Sequence, residues 1–141
     1  MANRVILDTG PMVALLNRRD QFHDWTKQAL AEITAPIVSC EAVFSETSHL
    51  LRGTDYGFRR LSALASEGLV KVDFSLSDHF ESVSALLKKY QDTPMSLADA
   101  CVVRMSELHY QSEVLTIDSD FLHYRRNGRS VIPLIYPGDK S

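Results

Sequence analysis

Cysteines, long apolar runs and excess positive charge are all scarce in this 141-residue sequence. The 2 cysteines, Cys40 and Cys101, lie far apart and match neither a disulfide framework nor a zinc spacing, so they predict buried thiols in a reducing compartment. No apolar run approaches the roughly 18 residues that a membrane-spanning helix needs. The apolar run before Asp8 is too short for a signal peptide. We therefore expect a soluble, cytoplasmic protein with no membrane partner.

The charge balance excludes a strongly basic, nucleic-acid-binding composition. The sequence has 15 basic and 18 acidic residues, for a formal net charge of −3. It is 45% hydrophobic and 23% charged, which is enough apolar material for a real core. The length fits one domain over residues 1–141, in which residues 137–141 form a tail.

Short apolar runs alternate with segments of helical periodicity. The predicted strands are 4–7, 36–39, 69–74, 113–117 and 131–135, and the predicted helices are 11–19, 22–33, 41–52, 56–67, 77–90 and 96–109. Pro11 indicates the first position of its helix, and Pro133 indicates an edge strand. This alternation predicts an α/β domain around a parallel sheet.

Two aspartates come directly after predicted strands. Asp8 follows the first apolar run, and Asp118 follows "EVLTI" at 113–117. Ligands bind beyond the carboxyl ends of the strands in open parallel sheets, so these carboxylates are expected at one rim. Each aspartate can also be explained as a residue that opens a turn or caps the next helix, and the sequence leaves both explanations open.

Two further acids lie on predicted helices. Glu46 is near the apolar side of its helix, where a lone carboxylate is unfavourable, unless that apolar side is drawn slightly wrongly. "SLAD" at 96–99 fits a capping box, with Ser96 as the N-cap and Asp99 as its partner. Capping is the better explanation for Asp99 taken alone, but a helix start can also hold an acidic ligand in fixed geometry.

One function would require these acids together. Converging carboxylates repel one another unless a cation compensates, and hard cations such as Mg²⁺ take oxygen ligands and support attack on a phosphodiester. Without four of the acids the formal charge changes from −3 to +1, so the remaining surface need not repel a polyanion. The candidate metal ligands are Asp8, Glu46, Asp99 and Asp118, with Asp120 close behind.

A group of arginines follows the last acids. Arg125, Arg126 and Arg129 are candidate phosphate contacts at the end of this stretch. An ordinary solvated surface explains such arginines equally well, so both interpretations stay open.

Four stretches in order resemble the PIN-domain nucleases, and among them the small VapC-type toxins. These stretches are "ILDTGPMVALLNRRDQFH", "EAVFSETSHLL", "SLADACVVRMSE" and "LTIDSDFLHY". The match is collinear over essentially the whole chain. Each motif is weak alone, whereas four in order at plausible separations are fairly specific.

The resemblance implies a three-layer α/β/α fold with a central, mostly parallel sheet of four to five strands. It implies a ribonuclease that uses Mg²⁺ or Mn²⁺, acts on RNA, forms a homodimer and pairs with a cognate antitoxin protein. Gly10 departs from the serine of many relatives but leaves the acids unchanged. The residues carried over are Asp8, Glu46, Asp99 and Asp118 as catalytic metal ligands, Asp120 as an auxiliary acid, and Thr9 and Thr116 as hydroxyls that orient ligands or substrate.

Three alternatives belong to other classes. The triplet at 8–10 resembles an aspartic-protease loop, but the chain has one such loop and a helical pattern follows it. A phospho-receiver domain would need an acidic pair where this chain has Leu7 and Asp8. A PIN-fold module that binds RNA or a protein, with its catalysis lost or regulated, stays open.

Overall fold

A parallel sheet runs through the middle of this computed structural model, which describes residues 2–54 and 57–139. Its order is β3-β2-β1-β4-β7 with every neighbouring pair parallel, which confirms the predicted sheet. Two other strands form a separate antiparallel hairpin. In chain order the strands are β1 (Arg4–Leu7), β2 (Ile37–Ser39), β3 (Lys71–Val72), β4 (Ser112–Leu115), β5 (Arg125–Arg126), β6 (Ser130–Val131) and β7 (Leu134–Ile135).

Helices cover both faces of this sheet. The chain moves outward from β1 to β3 and then crosses to β4 on the other side of β1. Because parallel crossovers are right-handed, this reversal places the first four helices on one face and the last two on the other, which is the predicted α/β/α arrangement. The helices are α1 (Thr9–Leu16), α2 (His23–Ala31), α3 (Glu41–Leu50), α4 (Gly57–Ser66), α5 (Phe80–Lys89) and α6 (Leu97–Leu108).

The core forms around β1, β4 and α6. Val5, Ile6 and Leu7 are buried, as expected for a continuous apolar run in a central strand covered on both faces. Helix α6 is buried along most of its length, from Ala98 to Ser106. Both cysteines are free and buried, in agreement with the sequence. The first residues after β1 and β4 therefore lie over a rigid, well-packed centre.

The start of α1 differs from the sequence prediction. The helix begins at Thr9, and Pro11 is its third residue rather than its first. A proline is tolerated there because the N–H groups of the first helical turn have no intrahelical acceptor. The shift makes Asp8 the N-cap residue of α1.

The predicted strand at 131–135 is two strands. Ser130–Val131 pairs with Arg125–Arg126 in the hairpin, whereas Leu134–Ile135 joins β4 at the edge of the main sheet. Pro133 lies between them and lacks the N–H group that would continue a ladder, although its carbonyl accepts a hydrogen bond from the Val114 N–H at 2.9 Å. The expected edge position is correct for β7, but the expected single strand is wrong.

Smaller differences concern the ends of elements. The predicted strand at 69–74 contracts to Lys71–Val72 at the other edge of the sheet. Tyr56, at the start of a predicted helix, lies outside the described residues, as do residues 140–141 of the predicted tail, while Pro137–Asp139 forms a 3₁₀ turn. Over the described ranges, no helix has the length and apolar character needed to cross a membrane.

Candidate active site

Asp8 is a buried carboxylate at the end of β1. It occupies the N-cap position of α1, but its side chain makes no capping hydrogen bond. Instead, Oδ2 accepts a hydrogen bond from the Thr116 hydroxyl at 2.8 Å, and Oδ1 is buried with no hydrogen-bond partner among the described residues. Capping therefore does not explain why an aspartate stands at this position.

Burial raises the pKa of Asp8 to about 7. The Asp99 and Asp118 carboxylates raise it further by like-charge repulsion, whereas the hydrogen bond from the Thr116 hydroxyl and the nearby Thr9 backbone oppose the shift. A carboxyl group with an unpartnered oxygen and two acidic neighbours is costly to keep ionised unless a cation is present.

Thr116 connects the ends of β1 and β4. These neighbouring strands pair in register, with Leu7 opposite Leu115, so the residues that follow them lie side by side. The buried Thr116 hydroxyl donates to Asp8 and accepts a hydrogen bond from the Asp118 N–H at 3.0 Å. One side chain thus holds the Asp8 carboxylate and the Asp118 backbone, and its predicted role as an orienting hydroxyl stays a prediction.

Asp99 completes a capping box and also faces other acids. Its N–H donates to the Ser96 hydroxyl at 3.0 Å, and the Ser96 N–H donates to Asp99 Oδ2 at 3.2 Å. Burial raises the pKa of Asp99 to about 6, and the Asp118 and Glu46 carboxylates add to the shift. Both proposed explanations of this residue are therefore compatible with its position.

Asp118 lies at the start of a 3₁₀ turn (Ser119–Leu122). Its Oδ1 accepts a hydrogen bond from the Asp120 N–H at 2.9 Å. Burial raises the pKa of Asp118, and the Asp120 and Glu46 carboxylates raise it further. Asp118 is thus a turn-capping residue within electrostatic reach of its acidic neighbours.

Glu46 brings a fourth element to the same region. It is half-buried on α3, beside the inward residues Val43 and Thr47. Its charge acts on both Asp99 and Asp118, and it lines a cavity of about 700 Å³ together with Ser96. The four acids therefore come from two segments that follow strands (Asp8 and Asp118), one helix start (Asp99) and one helix face (Glu46).

The four acids are neighbours but do not form a closed metal cage. Over residues 2–54 and 57–139, no three acidic, histidine or cysteine side chains are gathered closely enough to hold a metal ion as they stand. The donor set is nevertheless chemically suited to a hard cation, because it consists of carboxylate oxygens and includes the unpartnered Oδ1 of Asp8. Mg²⁺ needs only one or two carboxylates, since waters and substrate phosphates supply the remaining ligands.

Thr9 and Asp120 lie beside these acids. Thr9 is buried directly after Asp8, and its hydroxyl oxygen has no partner among the described residues. Asp120 is half-buried, and its charge acts on Asp118. Both residues thus lie near the four acids, and their roles stay predictions.

The three candidate arginines have different environments. Arg126 is only 3% exposed, donates a hydrogen bond to the Ser106 carbonyl at 3.1 Å and stacks on Tyr110, so its burial contradicts the expected phosphate contact. Arg125 is half-buried, and its guanidinium donates to the carbonyls of Leu122 and Tyr124. Arg129 is exposed in the β5–β6 turn.

Tyr124 is a residue of this region that sequence reasoning missed. It is fully buried, and its hydroxyl donates a hydrogen bond to Asp99 Oδ2 at 3.2 Å. Burial and the nearby Asp99 and Asp120 charges raise the pKa of Tyr124, so its hydroxyl stays protonated. The sequence signal was the aromatic pair Phe121 and Tyr124 at helical spacing after the last acids, which is also an ordinary core pattern.

Comparisons with known proteins identify the family and the fold of this chain. The family model described as the PIN domain matches residues 5–127. The fold is similar to the crystal structure of Mycobacterium tuberculosis VapC20, a Sarcin-Ricin loop cleaving toxin, with a TM-score of 0.75 and 22% sequence identity over 82% of this chain and 91% of that one. No curated protein sequence matches the chain.

Proposed function

Since the chain belongs to the PIN domain family, we propose that it is a metal-dependent endoribonuclease that hydrolyses RNA phosphodiesters. The observation that carries this proposal is the group of four acids where the central strands end, in which burial and the neighbouring carboxylates raise the pKa values of Asp8, Asp99 and Asp118. Perturbed carboxylates that interact at the carboxyl ends of parallel strands are typical of functional sites.

Asp8, Glu46, Asp99 and Asp118 are the residues that would hold Mg²⁺ or Mn²⁺. A bound divalent cation supplies Lewis acidity and lowers the pKa of a bound water. Asp8 offers the unpartnered Oδ1, while its Oδ2 is held by Thr116. Like-charge repulsion at these positions disfavours the cation-free, fully ionised state, which in turn favours cation binding.

The other candidates take supporting roles. Thr116 keeps Asp8 and Asp118 in their relative positions through its two hydrogen bonds. Thr9, with its unpartnered hydroxyl, and Asp120 are available to orient water or substrate beside the acids. Among the arginines, Arg129 is exposed and Arg125 is half-buried, so these two are the candidates that solvent can reach for a phosphate contact.

A more specific assignment is a VapC-type toxin in the cytoplasm. The structurally similar VapC20 is described as a toxin that cleaves the Sarcin-Ricin loop, and its similarity extends over most of both chains. We extend the proposal accordingly to a single domain over residues 1–141, a homodimer and a cognate antitoxin protein that blocks the site. Sedimentation of the pure chain tests the dimer, and co-purification with the product of an adjacent small gene tests the antitoxin.

Cleavage of labelled RNA and DNA tests the activity. Wild-type protein is incubated with each substrate in Mg²⁺, Mn²⁺ or EDTA, beside Asp8→Asn and a matched control, Asp24→Asn, which neutralises an exposed acid on α2. We expect RNA cleavage that requires the cation, is lost in Asp8→Asn by about 100-fold or more, and is unchanged in Asp24→Asn.

Two outcomes would contradict the proposal. Full activity in folded Asp8→Asn protein would remove the four acids from the mechanism. Wild-type protein that binds RNA but cleaves nothing with either cation would favour the alternative, a PIN-fold binding module without catalysis.

A further inference from the structure

The Tyr124 hydroxyl is a buried donor aimed at one of the four acids. Tyr124 is fully buried, and its ring packs edge-on against Phe121 and Tyr90, with centroids 5.0 and 5.1 Å away. Its backbone N–H donates to the Asp120 carbonyl at 3.1 Å, which anchors it to the turn after Asp118. The ring therefore has little freedom to move, and neither has its hydroxyl.

Two donors hold the same oxygen of Asp99. The Ser96 N–H and the Tyr124 hydroxyl each donate to Oδ2 at 3.2 Å. All hydrogen bonds to the Asp99 carboxylate from the described residues thus end on Oδ2, so this oxygen is held on two sides. Rotation of the carboxylate would break both bonds, and Oδ1 is the oxygen left for another partner.

We propose that Tyr124 is a positioning residue for the metal site, which locks the Asp99 carboxylate so that Oδ1 serves as the cation ligand. This inference rests on the proposed function, because it assigns Tyr124 to the same carboxylate group. Partners that hydrogen-bond to metal ligands orient those ligands, and their loss typically lowers metal affinity or activity by about 10- to 100-fold. The capping box alone would hold Oδ2 through a single backbone donor.

Tyr90 provides a matched control within the same aromatic group. Its ring packs on Tyr124, but its hydroxyl accepts a hydrogen bond from the Arg125 N–H at 2.9 Å and bonds to no acid in the described part of the chain. Tyr90→Phe and Tyr124→Phe therefore each remove one hydroxyl from a packed ring pair and leave both rings in place. Only the second change removes a donor to a proposed ligand.

The first measurement is the affinity of the full chain for Mn²⁺ in the absence of RNA. Electron paramagnetic resonance detects the bound ion. We expect Tyr124→Phe to weaken Mn²⁺ affinity by about 10-fold or more, and Tyr90→Phe to change it less than twofold. In cleavage assays, Tyr124→Phe should raise the Mn²⁺ concentration needed for half-maximal rate. Thermal unfolding of both variants shows how much each hydroxyl contributes to folding alone.

The outcomes separate this inference from the proposed function. If wild-type protein binds Mn²⁺ and cleaves RNA while the two variants have equal affinities, Tyr124 is only a core residue and the inference is overturned. If wild-type protein binds no Mn²⁺, the proposed function is wrong, and the inference about Tyr124 is wrong as well.

A double-mutant cycle, with Mn²⁺ affinity expressed per folded molecule, tests whether the effect of Tyr124→Phe passes through Asp99. If Tyr124 acts through Asp99, adding Tyr124→Phe to Asp99→Asn should weaken Mn²⁺ binding no further than Asp99→Asn does alone. Additive losses in the double variant would instead mean that Tyr124 does not act through Asp99, and would overturn the inference.

Discussion

A buried ionisable side chain lies at each end of helix α6: Asp99 of the helix itself at the N-terminal end, and Arg126 of β5 at the C-terminal end. The charges that surround these two side chains differ. At the C-terminal end, the Arg126 guanidinium donates to the Ser106 carbonyl and stacks on the Tyr110 ring at 4.1 Å, where the last carbonyls of the helix are partially negative. At the N-terminal end, Asp99 accepts the capping N–H but also faces Glu46 and Asp118. At the C-terminal, matched end, the buried cation meets groups of opposite partial charge, although Arg126 Nε has no hydrogen-bond partner among the described residues. At the N-terminal, mismatched end, like charges face one another.

This difference separates a structural residue from candidate functional ones. A buried cation that donates to a helix carbonyl and stacks on an aromatic face is partly compensated by these contacts, which account for its position without a substrate. Buried acids that raise one another's pKa values lower stability, and such arrangements concentrate at active sites. The arginine that resembled a phosphate contact in the sequence is therefore packed in the core, whereas the aspartate that resembled a simple cap also faces the other candidate acids.

The largest expected effect is the loss of RNA cleavage on substitution of Asp99, which tests whether this residue is a helix cap or a metal ligand. Asp99→Asn retains an oxygen that can accept the capping hydrogen bonds, so it should leave the fold nearly intact and reduce RNA cleavage by about 100-fold. Ser96→Ala removes the cap hydroxyl but keeps the carboxylate, and should cost about 1 kcal/mol of stability with little loss of activity per folded molecule. Urea unfolding and cleavage rates are measured on both variants.

Equal losses of stability and activity in these two variants would mean that Asp99 is a cap. The candidate metal ligands would then be Asp8, Glu46, Asp118 and Asp120.

The mismatched acids also predict a pH dependence. Because the pKa values of Asp8 and Asp99 are about 7 and about 6 in the folded state and ordinary in the unfolded state, the folded protein binds more protons between about pH 4 and 7. In EDTA the free energy of unfolding should therefore rise as the pH falls from 8 to 5, by roughly 2 to 4 kcal/mol.

The control for this pH effect is Asp8→Asn. Its unfolding free energy should vary less with pH and should equal or exceed the wild-type value at pH 8, since one buried charge is gone. Urea titrations from pH 5 to 8 provide the measurement, and a wild-type protein that is more stable at pH 8 than at pH 5 would be inconsistent with a mismatched N-terminal end.

Substitution of Arg126, at the C-terminal end of α6, should change the stability of the protein and leave its activity unchanged. Arg126→Ala removes a hydrogen bond from a charged donor and the stacking on Tyr110, so it should cost about 2 kcal/mol of unfolding free energy. Arg129→Ala, an exposed change in the same hairpin, should cost less than about 0.5 kcal/mol. If folded Arg126→Ala instead loses RNA binding more than Arg129→Ala does, Arg126 contacts the substrate after all.

Much of the fold could be predicted because its signals are local. The apolar runs at 4–7 and 113–117 indicated buried strands, and an acid after each indicated the rim of a parallel sheet. The capping box at Ser96 and Asp99 was also readable, because its partners lie three residues apart. The Asn127–Gly128 pair, in which both residues have positive φ, was a hairpin signal that sequence reasoning overlooked.

The roles of Arg126, Tyr124 and Pro133 could not be predicted in the same way. Arg126 meets a carbonyl 20 residues away, and Tyr124 meets a carboxylate 25 residues away. Contacts between residues so far apart in the chain produce no periodic pattern from which they could be predicted. The predicted strand divides at Pro133 because Ser130–Val131 pairs with β5 and Leu134–Ile135 pairs with β4. These pairings depend on how the whole chain folds, and not on the local sequence.

The sequence by itself thus determined the alternation of strands and helices, the helix cap at Ser96 and the order of the candidate acids along the chain, because propensity, periodicity and capping act over a few residues. Only the tertiary structure decided which charges became neighbours. The pairing of β1 with β4 brings Asp8 beside Thr116, although they lie 108 residues apart in the chain. Burial of this pairing in a medium of low polarity then turns ordinary carboxylates into perturbed ones.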